Sequence, residues 1–166
     1  GFADPVGFTR VANHLDEDEL TGLIEGFMQA AGDVVAEGGG RVVKMIGDEV
    51  MFTCADIGGA AHTALRLVEE VGGHDGLPEL RAGVAAGPVV LRHGDVFGAT
   101  ANLAHRLVEV ARPASVLVDE DVQEALEGDE GLEDVRIHGI RRLSGFDRVR
   151  AWKVRRREPA GEQVAS

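Results

Sequence analysis

The chain has no tyrosine, one tryptophan and one cysteine, Cys54. A lone cysteine can form neither an internal disulfide nor a cysteine-based metal cluster, and it fits a reducing compartment. Long apolar runs are also missing. None approaches the ~18 residues that a membrane-spanning helix needs, and the opening residues do not read as a signal peptide. The expected location is the cytoplasm, or the cytoplasmic face of a membrane if a longer chain carries an anchor. Basic residues are scarce: 17 Lys and Arg stand against 29 Asp and Glu, a formal net charge of -12. That balance argues against nucleic acid and anionic membrane as partners. The basic charge that exists gathers late. Nine Lys or Arg fall within residues 136–157, against a single acid, Asp147, and a solvated face is the common explanation of such a segment.

What remains suits one domain. The chain has 166 residues, 44% of them hydrophobic, enough for a sizeable core and too apolar for disorder. Residues 1–4 read as the end of a strand whose beginning is missing, and residues 5–9 as a turn into a helix. At that turn Gly7 allows close backbone approach, and free N–H groups at a helix start suit phosphate oxygens. Asp16, with Glu19 three residues on and Leu15 and Leu20 around them, is a strong helix start. Leu20, Leu23, Ile24, Phe27, Met28, Ala31, Val34 and Val35 then recur at helical spacing and are expected in the core. The glycines at 38–40 end that helix.

Two short apolar runs follow, residues 42–46 and 50–53, joined at Gly47-Asp48. Their Val, Ile, Phe and Thr favour strands, and a Gly-Asp pair between them reads as a hairpin turn. Lys44 stands inside the first strand. Taken alone, a turn aspartate and a snorkelling lysine explain this stretch. Residues 57–71 read as a second helix, 80–86 as a strand, 89–91 as a further extended run, and 100–111 as a third helix with Ala104, Leu107, Val108 and Ala111 toward the core. Asn102 and Arg106, four apart, share another face of it. A short strand (116–118), a short helix (119–126) and a final strand pair (135–143 and 149–154) complete the chain. The tail from Glu158 reads as disordered. The order predicts an α+β fold: a ferredoxin-like βαββαβ core, helices on one face, with an extra C-terminal helix and strands.

Six polar residues sit where strands end or a helix shows a second face: Asp4, Lys44, Asp48, Asp95, Asn102 and Arg106. In a βαββαβ sheet the first strand neighbours the hairpin, so Asp4 and Asp48 reach one edge. Two close carboxylates repel unless a cation joins them. All-oxygen donors suit magnesium or manganese better than zinc, and a two-metal site binding phosphate oxygens follows. An arginine on a neighbouring helix can take up charge developing on phosphorus.

Residues 2–9 (FADPVGFT), residues 44–48 (KMIGD) and residues 95–107 (DVFGATANLAHRL) together resemble the catalytic domain of class III nucleotidyl cyclases. The resemblance runs from Phe2 to about Val154. It implies a catalytic domain over residues 1–154, its first strand truncated, and a basic then disordered tail over 155–166. It implies that Asp4 and Asp48, with the Pro5 carbonyl, hold two Mg²⁺ or Mn²⁺ ions, and that the backbone at Val6, Gly7, Phe8 and Thr9 receives a triphosphate. Lys44 and Asp95 would read adenine, Asn102 would orient the ribose, and Arg106 would stabilise the transition state. The implied activity is conversion of ATP to cyclic AMP and pyrophosphate in a homodimer with two sites at its interface, behind a regulatory domain missing from this chain. Arg141 or Arg142 could contact the triphosphate, with Ser144 near the expected position. Pro5 departs from the usual branched apolar residue: it keeps the carbonyl, loses the N–H and fixes φ. The alternatives are a nucleotide-binding dimerisation module without catalysis, and a guanylyl cyclase. Four further residues get structural readings: Glu49 is expected on the opposite face of its strand from the metal, His105 as a solvated helix histidine, His62 without ligand spacing, and Trp152 in strand packing.

Overall fold

The computed structural model describes residues 1–137, 143, 145–146 and 149–157. In chain order the elements are β1 (Phe2–Pro5), α1 (Phe8–Ala12), α2 (Glu17–Glu37), β2 (Gly40–Ile46), β3 (Glu49–Cys54), α3 (Ile57–Arg66), β4 (Leu80–Val84), β5 (Val90–Arg92), β6 (Asp95–Phe97), α4 (Ala99–Val110), β7 (Ser115–Val118), α5 (Glu120–Ala125), β8 (Leu132–Ile137) and β9 (Ala151–Arg156). One π-helical turn, Leu67–Val71, continues α3.

Seven strands form one sheet in the order β2-β3-β1-β4-β7-β9-β8, and β5 with β6 form a separate two-stranded ribbon. The first four positions are the ferredoxin-like core expected from the element order. β7 extends it parallel to β4, and β9 and β8 follow antiparallel. β8 begins three residues earlier than expected, at Leu132. The strand predicted through 143 cannot be followed, because 138–142 lie outside the described residues; Leu143 itself is bridged to Phe146. Arg141, Arg142, Ser144 and the tail from Glu158 also lie outside the described residues.

Strand alternation sends side chains to two faces, and both are covered. Ala3, Val50, Phe52, Ala82, Val84, Val116 and Val118 pack with Phe27, Ala31, Val34 and Val35 of α2, Ala61, Ala64 and Leu65 of α3, and Val122 of α5. Their neighbours in sequence, Phe2, Met51 and Leu117, point the other way and meet Ala104, Val108 and Leu107 of α4. The helices are therefore not all on one face: α4 lies alone on the second. It sits close because β4 carries Gly83 at the crossing. A Cβ there would come within 2.4 Å of the Ala104 carbonyl oxygen and the Val108 nitrogen.

Local signals explain the element ends. Asp16 accepts from the Glu19 N–H at 2.9 Å while Glu19 reaches back to the Asp16 N–H at 3.0 Å, a complete capping box. Gly47, with φ 65°, makes the two-residue β2–β3 turn that closes on the Ile46–Glu49 pair. Not every expected core residue of α2 is buried. Ile24 is 36% and Met28 48% exposed, and the buried face of this 21-residue helix is carried by Phe27, Ala31, Val34 and Val35. Trp152 is buried in the main core as expected. Among the described residues no helix is long and apolar enough to cross a membrane.

Candidate functional site

The groove between α4, the hairpin and the β5–β6 ribbon gathers Lys44, Asn102 and Arg106 of the residues singled out from the sequence. It encloses about 380 Å³ and is lined by Phe2, Lys44, Ile46, Met51, Val96, Phe97, Ala101, Asn102, His105 and Arg106. Lys44 reaches it because a register shift in β2 between Val42 and Lys44 turns its side chain to the α4 face, opposite Met51. Its ammonium donates to Asp95 Oδ2 at 2.5 Å. Asp95 opens β6, and its other oxygen accepts the Val96 N–H at 2.7 Å. The Lys44 hydrogen bond, and then that of Val96, hold the Asp95 carboxyl below the usual aspartate range. Asn102 and Arg106 occupy successive turns of α4, and the Arg106 guanidinium donates to Glu109 Oε2 at 2.7 Å. Walls of Phe, Met, Val and Ala with a few convergent polar groups suit a flat heteroaromatic ligand.

The acidic residues lie at the neighbouring end of the sheet. Asp4 pairs across the strands with Arg81, whose Nη2 and Nε both donate to Asp4 Oδ2, at 2.7 and 2.9 Å. Asp48 is half-buried in the hairpin turn. Burial pushes its carboxyl above the ordinary range, and the Asp4 charge adds to this against the Asp48 backbone N–H and Arg81. Glu49 corrects the expectation made for it. The β3–β1 register places it beyond the pairs Met51–Phe2 and Val50–Ala3, on the same face as Phe2 and Asp4. It is buried at 8% exposure, its pKa is pushed up to about 7 by burial and by Asp4 and Asp48, and its Oε2 lies 3.3 Å from His105 Nε2. His105 is thus no free surface histidine: its ring also meets the edge of Phe2 at 5.2 Å.

These carboxylates crowd negative charge that a hard cation would relieve, and all donors are oxygen, so the set fits Mg²⁺ or Mn²⁺. Among the described residues no three His, Cys, Asp or Glu side chains already converge as a metal centre. Pro5 lies where β1 pairs only with β4, past the last β3 pair at Ala3, so its missing N–H is tolerated. Of the four turn positions, Val6 already donates its N–H to the Glu79 carbonyl at 2.9 Å. The N–H groups at Gly7, Phe8 and Thr9, in the turn and first residues of α1, donate to no backbone carbonyl outside that helix among the described residues.

Sequence reasoning missed Arg81 and the role of Glu49 in the acidic cluster. An arginine inside an otherwise apolar strand was the available signal for Arg81. His62, set aside for lack of ligand spacing, makes a 2.8 Å contact with Asp129, which also accepts the Gly131 and Leu132 N–H groups. That contact ties α3 to the start of β8 and lies away from the groove.

The adenylate and guanylate cyclase catalytic domain family matches residues 1–154. The chain belongs to that family. It is 50% identical over 126 residues to an adenylate cyclase of Streptomyces coelicolor, covering 76% of this chain and 33% of that protein. It is 43% identical over 159 residues to a pH-sensitive adenylate cyclase of Mycobacterium tuberculosis, covering 93% of this chain and 40% of that protein. The chain thus spans a third to two fifths of these relatives. Among solved structures, the adenylyl cyclase CyaB from Pseudomonas aeruginosa superposes with a TM-score of 0.79 at 20% identity, over 92% of this chain and 90% of that one, a likeness of fold.

Proposed function

We propose that this domain is an adenylyl cyclase that converts ATP to cyclic AMP and pyrophosphate at the interface of a homodimer. The observation that carries it is the Lys44–Asp95 pair at 2.5 Å in an apolar groove that also holds Asn102 and Arg106. Adenine offers an acceptor at N1 and a donor at its 6-amino group, the complement of an ammonium and a carboxylate. Guanine offers the reverse and would leave both side chains facing like groups, a mismatch that polar sites reject strongly. Relatives named adenylate cyclase, at 43–50% identity, support the same choice.

Asp4, Asp48 and the Pro5 carbonyl would hold two Mg²⁺ or Mn²⁺ ions, which when bound supply Lewis-acid stabilisation of phosphate charge and a more acidic hydroxyl. The protein's own work is orientation and charge. The N–H groups of Gly7, Phe8 and Thr9 receive the triphosphate, with Val6 shaping the turn. Asn102 holds the ribose so that its 3′-oxygen faces the α-phosphorus in line, and this alignment accounts for a large share of the barrier. Arg106 leaves Glu109 for the phosphate oxygens as charge develops there. The bond from the 3′-oxygen to the α-phosphorus forms as the bond to pyrophosphate breaks, and the 3′-hydroxyl proton passes to water or to the departing pyrophosphate.

Two sets of residues that face each other only across two copies explain the dimer. Its support on this chain is the β5–β6 ribbon, where Val90, Leu91 and Phe97 are 52–60% exposed, an apolar surface that a second copy would cover. The test is the Mn²⁺–ATP assay with Asp48→Ala and Arg106→Ala. Each variant alone is expected to be inactive, and mixing them should restore one site per heterodimer. ATP binding without product in the wild type would favour a module without catalysis, and failure of the mixture to recover would rule out shared sites.

A further inference from the structure

Three polar contacts join α4 to the rest of the chain among the described residues. Thr100 donates to the Pro88 carbonyl at 2.9 Å near its start, and the Glu109 carbonyl near its end accepts from Arg81 at 2.9 Å. The third lies in the middle, where His105 Nε2 stands 3.3 Å from Glu49 Oε2. Glu49 opens β3 beside the hairpin turn that holds Asp48, and its side chain is only 10% exposed. The His105 ring also meets Phe2, two residues before Asp4, with centroids 5.2 Å apart and planes at 71°. One side chain of α4 is thus seated between groups of β1 and β3, the two strands beside the aspartates. On the helix itself His105 stands next to Arg106 and three residues after Asn102, and all three line the groove. The apolar contacts of Ala104, Leu107 and Val108 hold α4 against the sheet, but such packing has little directional preference. A polar contact does. It resists rotation of the helix about its axis, the motion that would swing Asn102 and Arg106 together, since residues four apart share a face. The contact holds whichever partner carries the proton, because a neutral imidazole nitrogen can donate or accept.

We propose that His105 is a positioning residue for the reaction: anchored on Glu49 and Phe2, it sets the rotation of α4 and with it the reach of Arg106. This rests on the cyclase reading above, in which the α4 of one copy serves one site of the dimer and its Asp4 and Asp48 serve the other. Loss of the anchor therefore harms the site to which that copy lends Arg106 and spares the site to which it lends Asp48. A histidine that only stabilised the fold would affect both sites alike.

The experiment uses the mixture of Asp48→Ala with Arg106→Ala, whose one working site takes Asp48 from the Arg106→Ala copy and Arg106 from the Asp48→Ala copy. His105→Leu keeps bulk and helix propensity while removing the polar contact. It is added to either copy in turn, and formation of cyclic AMP from Mn²⁺–ATP is read as kcat of the mixture. In the Asp48→Ala copy it should lower the rescued kcat at least about ten-fold, the scale of a small misplacement. In the Arg106→Ala copy, whose own groove is already disabled, it should leave the rescued kcat within about two-fold. His105→Gln, whose amide can still reach Glu49, should recover most of the loss. Should the leucine protein fail to fold, judged by circular dichroism, His105→Ala takes its place with the same expectations. Equal loss in both copies, no loss in either, loss confined to the Arg106→Ala copy, or a glutamine variant as impaired as the leucine one would overturn the proposal and leave the cyclase reading standing. Absence of activity in the parent mixture would overturn the shared-site reading, and this inference with it.

Discussion

Lys44 and Asp95, 51 residues apart in sequence, meet at 2.5 Å between β2 and β6, with 41% of the lysine side chain and 27% of the aspartate exposed. An ion pair so open to water contributes little to folding. Its two groups are free to exchange each other for a ligand of matching pattern. Replacing Lys44 by alanine should therefore leave the melting temperature unchanged while lowering kcat/KM for ATP by about 10–100-fold, the range for one lost base contact. A fall in melting temperature that parallels the fall in activity would mean the pair is structural.

The same relationship predicts a change of substrate. Lys44→Glu combined with Asp95→Cys presents an acceptor where adenine N1 needs a donor. We expect the double variant to prefer GTP over ATP, read as the ratio of cyclic GMP to cyclic AMP formed at equal nucleotide concentrations. A protein that keeps its preference for ATP would place purine selection on other residues.

Much of this was legible before the fold was known, because it rests on local chemistry. The Asp16–Glu19 box, the Gly47-Asp48 turn and the helical spacing of Ala104, Leu107 and Val108 need only nearest neighbours in sequence. Long-range register was not legible. Counting alternation from Asp48 puts Glu49 on the wrong face, because Asp48 belongs to the turn and alternation starts from the closing pair Ile46–Glu49. Arg81 gave no sign of its partner because its meeting with Asp4 depends on which strand lies beside β4. The second sheet face was likewise hidden: its cover is set by long-range packing of Phe2, Met51 and Leu117 on α4, with Gly83 admitting the helix backbone.

Gly83 yields the third prediction. A side chain at this position must push α4 away from β4, since its Cβ would fall 2.4 Å from two backbone atoms. Gly83→Ala should cost about 1–3 kcal/mol, or several degrees in melting temperature for a domain of this size. Activity should fall further than stability, because Asn102 and Arg106 move with the helix and a displacement of ~1 Å can cost about 100-fold in rate. Full activity in the folded fraction at low temperature would show that α4 placement does not limit catalysis.

Arg106 pairs with Glu109 on the helix surface at 2.7 Å, with 34% and 44% of the two side chains exposed. A pair of this kind is worth only a few tenths of a kcal/mol to the helix. Arg106→Ala should thus melt almost as the wild type does, yet lose about 10³-fold or more in kcat, with a smaller change in KM for ATP, if the guanidinium acts only as charge develops. A loss confined to KM would assign Arg106 to ground-state binding.

Asp119 allows a prediction that does not involve the groove. It caps α5, accepting the Val122 N–H at Oδ1 at 3.1 Å, and it also accepts the Ala86 N–H beyond β4. The residue is 6% exposed, and burial pushes its pKa up from 3.8 to about 6 against those hydrogen bonds. Because the folded value lies above the unfolded one, its contribution to stability is fully present below about pH 4 and is lost as pH rises through about 6. The loss is on the order of 2–3 kcal/mol. Asparagine caps helices as well as aspartate does. Its amide oxygen in the place of Oδ1 could keep both backbone donors, since Ala86 also reaches Oδ1 at 3.3 Å. Asp119→Asn carries no charge to desolvate. Urea unfolding of both proteins from pH 4.5 to pH 8 should show the variant gaining on the wild type by about 1–2 kcal/mol across that range, with the other titrating groups cancelling in the difference. A difference that stays flat with pH would mean that the buried Asp119 carboxylate is ionised at no net cost.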